Sequence, residues 1–350
     1  MPPSTPDPST PRLLPPSSRR APRSRRTVRR VLLGQSDRSG TRARLSGVGL
    51  ALGAALLLGA CSGGTDATDG RLRVVVGAYP FAYLAETIGG GHVAVDLLTR
   101  PGAEPHDLEL TAAQVTGVGK ADLAVTLGGF QPAVDQAIKA APPRHTLDLS
   151  AATGISVEHH DEEHAIAPDG HESPEDLAHD PHFWLDPALM GRAADAVADE
   201  LRRLDPAHAG DYDANRDRLD AQLRDLRDAF RSRLTGCRST TLVTSHAAYG
   251  HLAAFTGFDP YALALTPDTE PSAGELAQIV SVVRSHDVTT IYTEPLASPK
   301  VADVIATETG VPTAVLDPIE GLTDTSAGRD YLSLMRADLE TLVTGQQCRP

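Results

Sequence analysis

Cysteine is scarce in this 350-residue chain: only Cys61, Cys237 and Cys348 occur. No two of them have metal-finger spacing, which excludes a cysteine-type zinc site. Aromatic residues make up 4% of the chain, and Trp184 is the only tryptophan. The apolar run Gly47 to Ala60, GVGLALGAALLLGA, has 14 residues. That is short of the roughly 20 residues a membrane-spanning helix needs. No His-Glu-x-x-His stretch is present, since His171-Glu172 runs into Pro174, and no serine or cysteine nucleophile motif is evident. A zinc hydrolase, which keeps an open coordination position beside a general base, therefore finds no support.

Basic residues are also few where the folded body should lie. The whole chain carries 32 basic and 46 acidic residues, net −14. Residues 1–60 hold 11 of the arginines and only Asp7 and Asp37 as acids, so residues 61–350 keep 21 basic against 44 acidic, net −23. Such a surface repels phosphate backbones and argues against nucleic acid as a partner. Acidity by itself mostly serves solubility, and it is compatible with a cation as ligand.

What is present begins with an address. Residues 1–30 are rich in Pro, Ser and Arg, and a short apolar run follows a basic region, the pattern of a signal peptide. The run ends Leu58-Gly59-Ala60-Cys61, which resembles the bacterial lipobox. That resemblance implies a diacylated Cys61 as the mature N-terminus, anchored to the outer face of the cell membrane, with residues 61–70 as a flexible tether. Ser24-Arg25-Arg26 loosely resembles a twin-arginine export signal, but Val28-Arg29 departs from it. A start codon assigned too far upstream accounts equally for the long leader. With Cys61 consumed by lipid in an oxidising compartment, Cys237 and Cys348 become candidates for a disulfide.

The length suits about two domains, and from Leu72 short apolar strands alternate with helices. Strands are expected over 72–76, 93–99, 123–127, 240–244, 261–265, 288–292 and 313–316. Helices are expected over 81–88, 111–118, 247–255, 272–285, 301–309 and 329–344, with helix resuming at Pro187. Residues 150–180 are polar, acidic and rich in histidine, which reads as a surface loop. Asp205-Pro206 predicts a helix start with Asp as the N-cap. Leu219, Leu223, Leu226 and Phe230 then recur at helical spacing. The expected fold class is α/β: an N-terminal lobe over 71–204, a long rigid helix over 205–234 and a C-terminal lobe over 235–350. Both lobes carry parallel sheets. Ligands of such sheets sit in the crevice at the carboxyl ends of the strands.

Of 13 histidines, three stand out by position. His106 follows the strand over 93–99, His246 follows the strand over 240–244, and His182 ends the polar loop. One residue after the strand over 313–316 lies Asp317, alternatively a helix N-cap. Three imidazoles and one carboxylate would close a tetrahedral zinc site.

The motifs around these residues are specific. Pro101-Gly102-Ala103-Glu104-Pro105-His106-Asp107, Asp180-Pro181-His182-Phe183-Trp184-Leu185-Asp186-Pro187 and Thr244-Ser245-His246-Ala247-Ala248-Tyr249-Gly250 occur in order, followed by Thr269-Glu270-Pro271-Ser272 and Thr293-Glu294-Pro295. Over about 72–345 the chain resembles the metal-binding substrate-binding lipoproteins of ABC transporters, of TroA-type fold, in their zinc-specific ZnuA-like branch. The resemblance implies a monomeric carrier, not an enzyme. It captures Zn2+ as cargo in the interlobe cleft and delivers it to a cognate ABC permease. It implies His106, His182, His246 and Asp317 as ligands, with Glu270 and Glu294 in support. In the manganese branch a glutamate stands where this chain has His246, and imidazole suits zinc better than manganese. Relatives often carry a glutamate where this chain has Gln131. The loop histidines His159, His160, His164, His171 and His179 are candidates for weak metal capture, or are a solvated loop and no more. Manganese, another divalent ion and an adhesin role remain the alternatives.

Overall fold

A computed structural model describes residues 70–157, 177–264, 272–296 and 298–349. The first apolar segments, LRVVV and LAVT, are short and rich in valine, and Val74–Val76 and Leu123–Thr126 are buried throughout, as in strands covered on both faces. They form β1 (Leu72–Val76) and β3 (Leu123–Thr126), beside β2 (Val93–Leu97) and β4 (Thr146–Asp148), in an all-parallel sheet of order β2-β1-β3-β4. The second sheet repeats the plan with β5 (Thr241–His246), β6 (Asp259–Ala264), β7 (Ile291–Thr293) and β8 (Thr313–Val315), in parallel order β6-β5-β7-β8. In each sheet the chain reverses direction across the first strand. The switch-point crevices therefore lie beyond the carboxyl ends of β1 and β3 in one lobe and of β5 and β7 in the other.

Helices fill the crossovers: α1 (Tyr79–Gly89), α2 (Ala112–Gly119), α3 (Pro132–Ala140) and the single turn α4 (Ser150–Thr153) in the first lobe. The second lobe has α7 (Gly250–Thr256), α8 (Ala273–Ser285), α9 (Lys300–Thr309) and α10 (Tyr331–Gly345). Between them run α5 (Pro187–Leu204) and α6 (Ala209–Arg233). Strand β4 and helix α3 were not foreseen. β4 is three residues, Thr-Leu-Asp, too short to show a period.

The long helix departs from expectation only at its start. Pro206–His208 form a 3-10 turn, and α6 proper has 25 residues, roughly 37 Å. Asp205 does not cap it through the backbone. Its Oδ2 instead accepts from the Tyr212 hydroxyl at 2.8 Å and lies 2.6 Å from His208 Nδ1, because those side-chain donors reach it first. Tyr212, Leu219, Leu223, Leu226 and Phe230 form the buried face of α6.

The outer face of each sheet has its own small core, Val75, Val118 and Ala124 in one and Val243, Ile291 and Ile305 in the other. The inner faces share one core. It runs from Val74 and Phe81 through Trp184, Leu219 and Phe230 to Tyr249, Tyr331 and Leu339. A core that passes without a break from lobe to lobe, along a stiff helix, resists hinge opening, because opening would expose close-packed side chains.

Cys237, ahead of β5, is joined to Cys348, beyond α10, by a disulfide across a sequence separation of 111. Closing a loop of that size is worth about 4–5 kcal/mol in the chain-entropy account. Denatured, unreduced protein carrying Cys61→Ser should show no reactive thiol, and reduction should lower its stability by about that amount. Two reactive thiols before reduction would refute the bridge.

Candidate metal centre

Three local devices bring the site together from distant parts of the chain. The first is the loop after β2. Gln131, just beyond β3 and 3% exposed, donates from Nε2 to the Pro105 carbonyl at 2.9 Å and to the Gly77 carbonyl at 3.3 Å. A Cβ at position 77 would lie 1.8 Å from Gln131 Oε1 and displace that side chain from the Pro105 and Gly77 carbonyls. Glu104 Oε1 accepts the His106 amide at 2.9 Å, and the Phe130 ring meets the imidazole edge-on with centroids 5.0 Å apart. Gln131 thus serves as a strut under the His106 loop.

The second device is the turn before α5. Asp180 Oδ1 accepts the His182 amide at 2.9 Å and lies 2.6 Å from His182 Nδ1. Phe183, Trp184 and Leu185 follow as a fully buried 3-10 turn. The Trp184 indole donates to the Pro318 carbonyl of the other lobe at 2.8 Å, and the Tyr331 hydroxyl donates back to the Trp184 carbonyl at 2.5 Å.

The third device belongs to the second sheet. His246 is the last residue of β5 rather than the residue after it. Glu294, directly after the neighbouring β7, lies with Oε2 2.6 Å from His246 Nδ1, and its Oε1 accepts from Ser245 Oγ at 2.5 Å. Both residues sit at the switch-point crevice of this sheet. Carboxylates on Nδ1 of His182 and His246 leave Nε2 of each ring free to face inward, the usual way a metal-binding imidazole is oriented.

The inward atoms converge on Glu320. Its Oε1 lies 3.0 Å from His106 Nε2, 2.8 Å from His182 Nε2 and 3.6 Å from His246 Nε2. The His106 and His182 Nε2 atoms are 3.3 Å apart, and one ligand atom from each of the four residues fits within 4.8 Å of the others. Zinc bonds of about 2.0–2.1 Å at tetrahedral angles would separate neighbouring ligand atoms by about 3.3 Å. The observed spacings straddle that value. His246 Nε2 is buried without a hydrogen-bond partner, and a bound cation would give it one.

The electrostatics fit a site awaiting a dication. Burial opposes charge on His182, but the Asp180 and Glu320 carboxylates outweigh it and push the imidazole up to about 9. Burial likewise opposes charge on His246, and Glu294 with Glu320 pushes it up to about 10. Burial disfavours the Glu320 carboxylate, yet the three surrounding imidazoles hold it well below its ordinary range.

Asp317, the expected fourth ligand, lies outside the group of four, in which Glu320 stands with the three histidines. Its Oδ1 accepts the Ile319 amide at 2.8 Å, while its own amide donates to Asp338 Oδ1 at 3.0 Å. Ile319 adopts a left-handed φ of 60°. The resulting tight turn aims Glu320, not Asp317, at the histidines. Burial and the charges of Glu320 and Glu294 push Asp317 up to about 6. The available signal was an acid three residues further along, in Asp317-Pro318-Ile319-Glu320-Gly321, but nothing in the sequence says which of the two carboxylates the turn presents.

His179 lies 2.6 Å through Nδ1 from the Ser156 carbonyl and is not part of the group. His159, His160, His164, His171, Glu270 and Cys61 lie outside the described residues.

Comparison with known proteins gives a consistent result. The family model described as "Zinc-uptake complex component A periplasmic" matches residues 74–345. The chain is 32% identical over 296 residues to the high-affinity zinc uptake system protein ZnuA of Bacillus subtilis, covering 82% of this chain and 93% of that protein. It is also 32% identical over 296 residues to the zinc-binding lipoprotein AdcA of Streptococcus pneumoniae, covering 82% of this chain but only 58% of that one. The crystal structure of the Zn(II)-bound ZnuA-like domain of Streptococcus pneumoniae AdcA superimposes with a TM-score of 0.64 at 28% identity, covering 79% of this chain and 99% of that domain.

Proposed function

We propose, from the premise that this chain belongs to the zinc-uptake complex component A family, that it is an extracytoplasmic zinc carrier. It holds one Zn2+ on Nε2 of His106, His182 and His246 and on the Glu320 carboxylate, and passes the ion to an ABC permease. The observation that carries this reading is the convergence of those four donors within 4.8 Å. Three imidazoles and one carboxylate are zinc chemistry more than manganese chemistry. Four protein ligands leave no open position for a water nucleophile, which suits a carrier and not a hydrolase. The chain spans 58% of the AdcA lipoprotein's length and 93% of the ZnuA protein's, so the shorter relative is the fuller guide to its role.

Membrane attachment is proposed through a lipidated Cys61, on the lipobox-like Leu58-Gly59-Ala60-Cys61 and the Streptococcus pneumoniae relative named a lipoprotein. The carrier works as a monomer. The lobes share one core, so loading closes loops around the ion and does not swing the lobes.

The test is metal analysis of purified protein with competition titration. One zinc per chain, held orders of magnitude more tightly than manganese, is the expected result. A manganese preference, or no tight site, would sink the proposal. The titration should also count protons. His182 and His246, pushed up to about 9 and about 10, are protonated at pH 7 in the metal-free protein and must lose those protons to bind. About two protons should leave per zinc at pH 7. Apparent affinity should rise about 100-fold per pH unit there, and level off as pH passes 9 and then 10. In the metal-free protein the same two imidazoliums stabilise the fold fully below their ordinary pKa of about 6.5, and that contribution is lost as pH rises through their folded values.

A further inference from the structure

The four ligands are not equally enclosed. The side chains of His182, His246 and Glu320 are at most 3% exposed, whereas the His106 side chain is 18% exposed. An ion reaching the site therefore arrives past His106. Beside His106 on that side stands Glu104, two residues earlier in the same loop. Its side chain is 17% exposed, and it borders an open groove of about 380 Å³ that Arg100, Asp107 and Glu109 also line. One of its oxygens, Oε1, holds the His106 amide. The other, Oε2, is buried with no hydrogen-bond partner. A carboxylate oxygen shielded from water and left unpaired is costly unless something else engages it.

Distance says what could. Glu104 Oε1 lies 4.0 Å from His106 Nε2, the metal-facing atom of that ring. Neighbouring donors of a tetrahedral zinc ion lie about 3.3 Å apart. A shift of under about 1 Å by the Glu104 side chain would let one zinc ion touch both residues. Glu104 is nonetheless outside the group of four whose donors lie mutually within 4.8 Å. It touches the path and not the end point.

We propose that Glu104 is a transit ligand, a carboxylate that takes the incoming cation on the open side of the site and shares it with His106 before the buried donors engage. On release it receives the ion in the reverse order. The inference rests on the zinc-carrier reading above. A group that binds the ion only between its two end states lowers the barrier in both directions and leaves the equilibrium unaltered.

Glu104→Gln is the informative variant, because the amide oxygen can still accept the His106 N–H while the charge and the unpaired oxygen are removed. Stopped-flow zinc capture and chelator-driven zinc release would be compared with equilibrium affinity from competition titration. The expected result is capture and release each slower by about tenfold, with the dissociation constant within about threefold of the unaltered protein. The slowing should persist at 1 M salt, where screening leaves only contacts within about 3 Å effective and removes any long-range loss of attraction. Weaker affinity with capture unchanged would make Glu104 a resident ligand or a loop brace and overturn the proposal. Unchanged rates, or slowing abolished by salt, would overturn it equally. Failure of the unaltered protein to bind zinc would instead refute the carrier reading.

Discussion

Glu320→Ala is expected to weaken zinc binding by about 10²–10³-fold, while Asp317→Asn costs less than about tenfold. A structural zinc site is worth about 10–16 kcal/mol over its ligands, so one donor of four carries about 3–4 kcal/mol. Among the described residues Glu320 is also the single carboxylate that all three Nε2 atoms approach, at 2.8, 3.0 and 3.6 Å. Part of the loss is returned. Without Glu320 the imidazoles are less basic, so fewer protons compete with the ion, and the affinity deficit should narrow as pH falls. The metal-free variant should also melt earlier than the unaltered protein, because three imidazoles lose the anion that holds them together. Asp317→Asn keeps an oxygen that can accept the Ile319 amide, so the turn presenting Glu320 survives. Isothermal titration with a competing chelator measures both variants. If Asp317→Asn proved as damaging as Glu320→Ala, the assignment of the fourth ligand would be wrong.

The second large effect is expected at His246. His246→Glu should lower zinc affinity by about 10²–10³-fold and cut the preference for zinc over manganese by at least about tenfold. His246→Ala should lose zinc to a similar degree without favouring manganese. The difference lies in donor type: the glutamate replaces an imidazole with the oxygen that manganese accepts more readily. The cost lies in the surroundings. His246 is wholly buried, and Glu294 Oε2 lies 2.6 Å from its Nδ1. A carboxylate at 246 would face Glu294 and Glu320 with no intervening N–H, so its charge would be repelled until a dication arrived. The metal-free variant should accordingly be more stable at pH 5 than at pH 8, the reverse of a paired carboxylate. Competition titrations with both metals decide the matter, and an unchanged zinc-to-manganese ratio would remove His246 as the selectivity determinant.

Much of the fold was legible because parallel strands buried on both faces are written as short apolar runs, as in Val74–Val76 and Leu123–Val125. The helix carrying Leu219, Leu223, Leu226 and Phe230 was legible from its spacing. Elements too short to show a period were not, β4 above all. Asp205 does stand at the N-cap with Pro206 after it, as the sequence predicts, but its carboxylate takes side-chain donors and leaves the backbone amides uncapped.

By itself the sequence determined the alternation of strand and helix, the export-type leader, and three histidines at strand or loop ends in specific motifs. Those are local properties, set by residue type and spacing. Only the tertiary structure decided which carboxylate joins the histidines. Asp317 and Glu320 differ by three positions, and the choice depends on a left-handed Ile319, an amide held by Asp317 and a Trp184 indole reaching across from the other lobe to Pro318. The structure likewise paired Asp180 with His182 and Glu294 with His246, setting which ring nitrogen faces Glu320. Ligand choice follows from where atoms meet to within about an ångström, and chain order constrains that only through the fold.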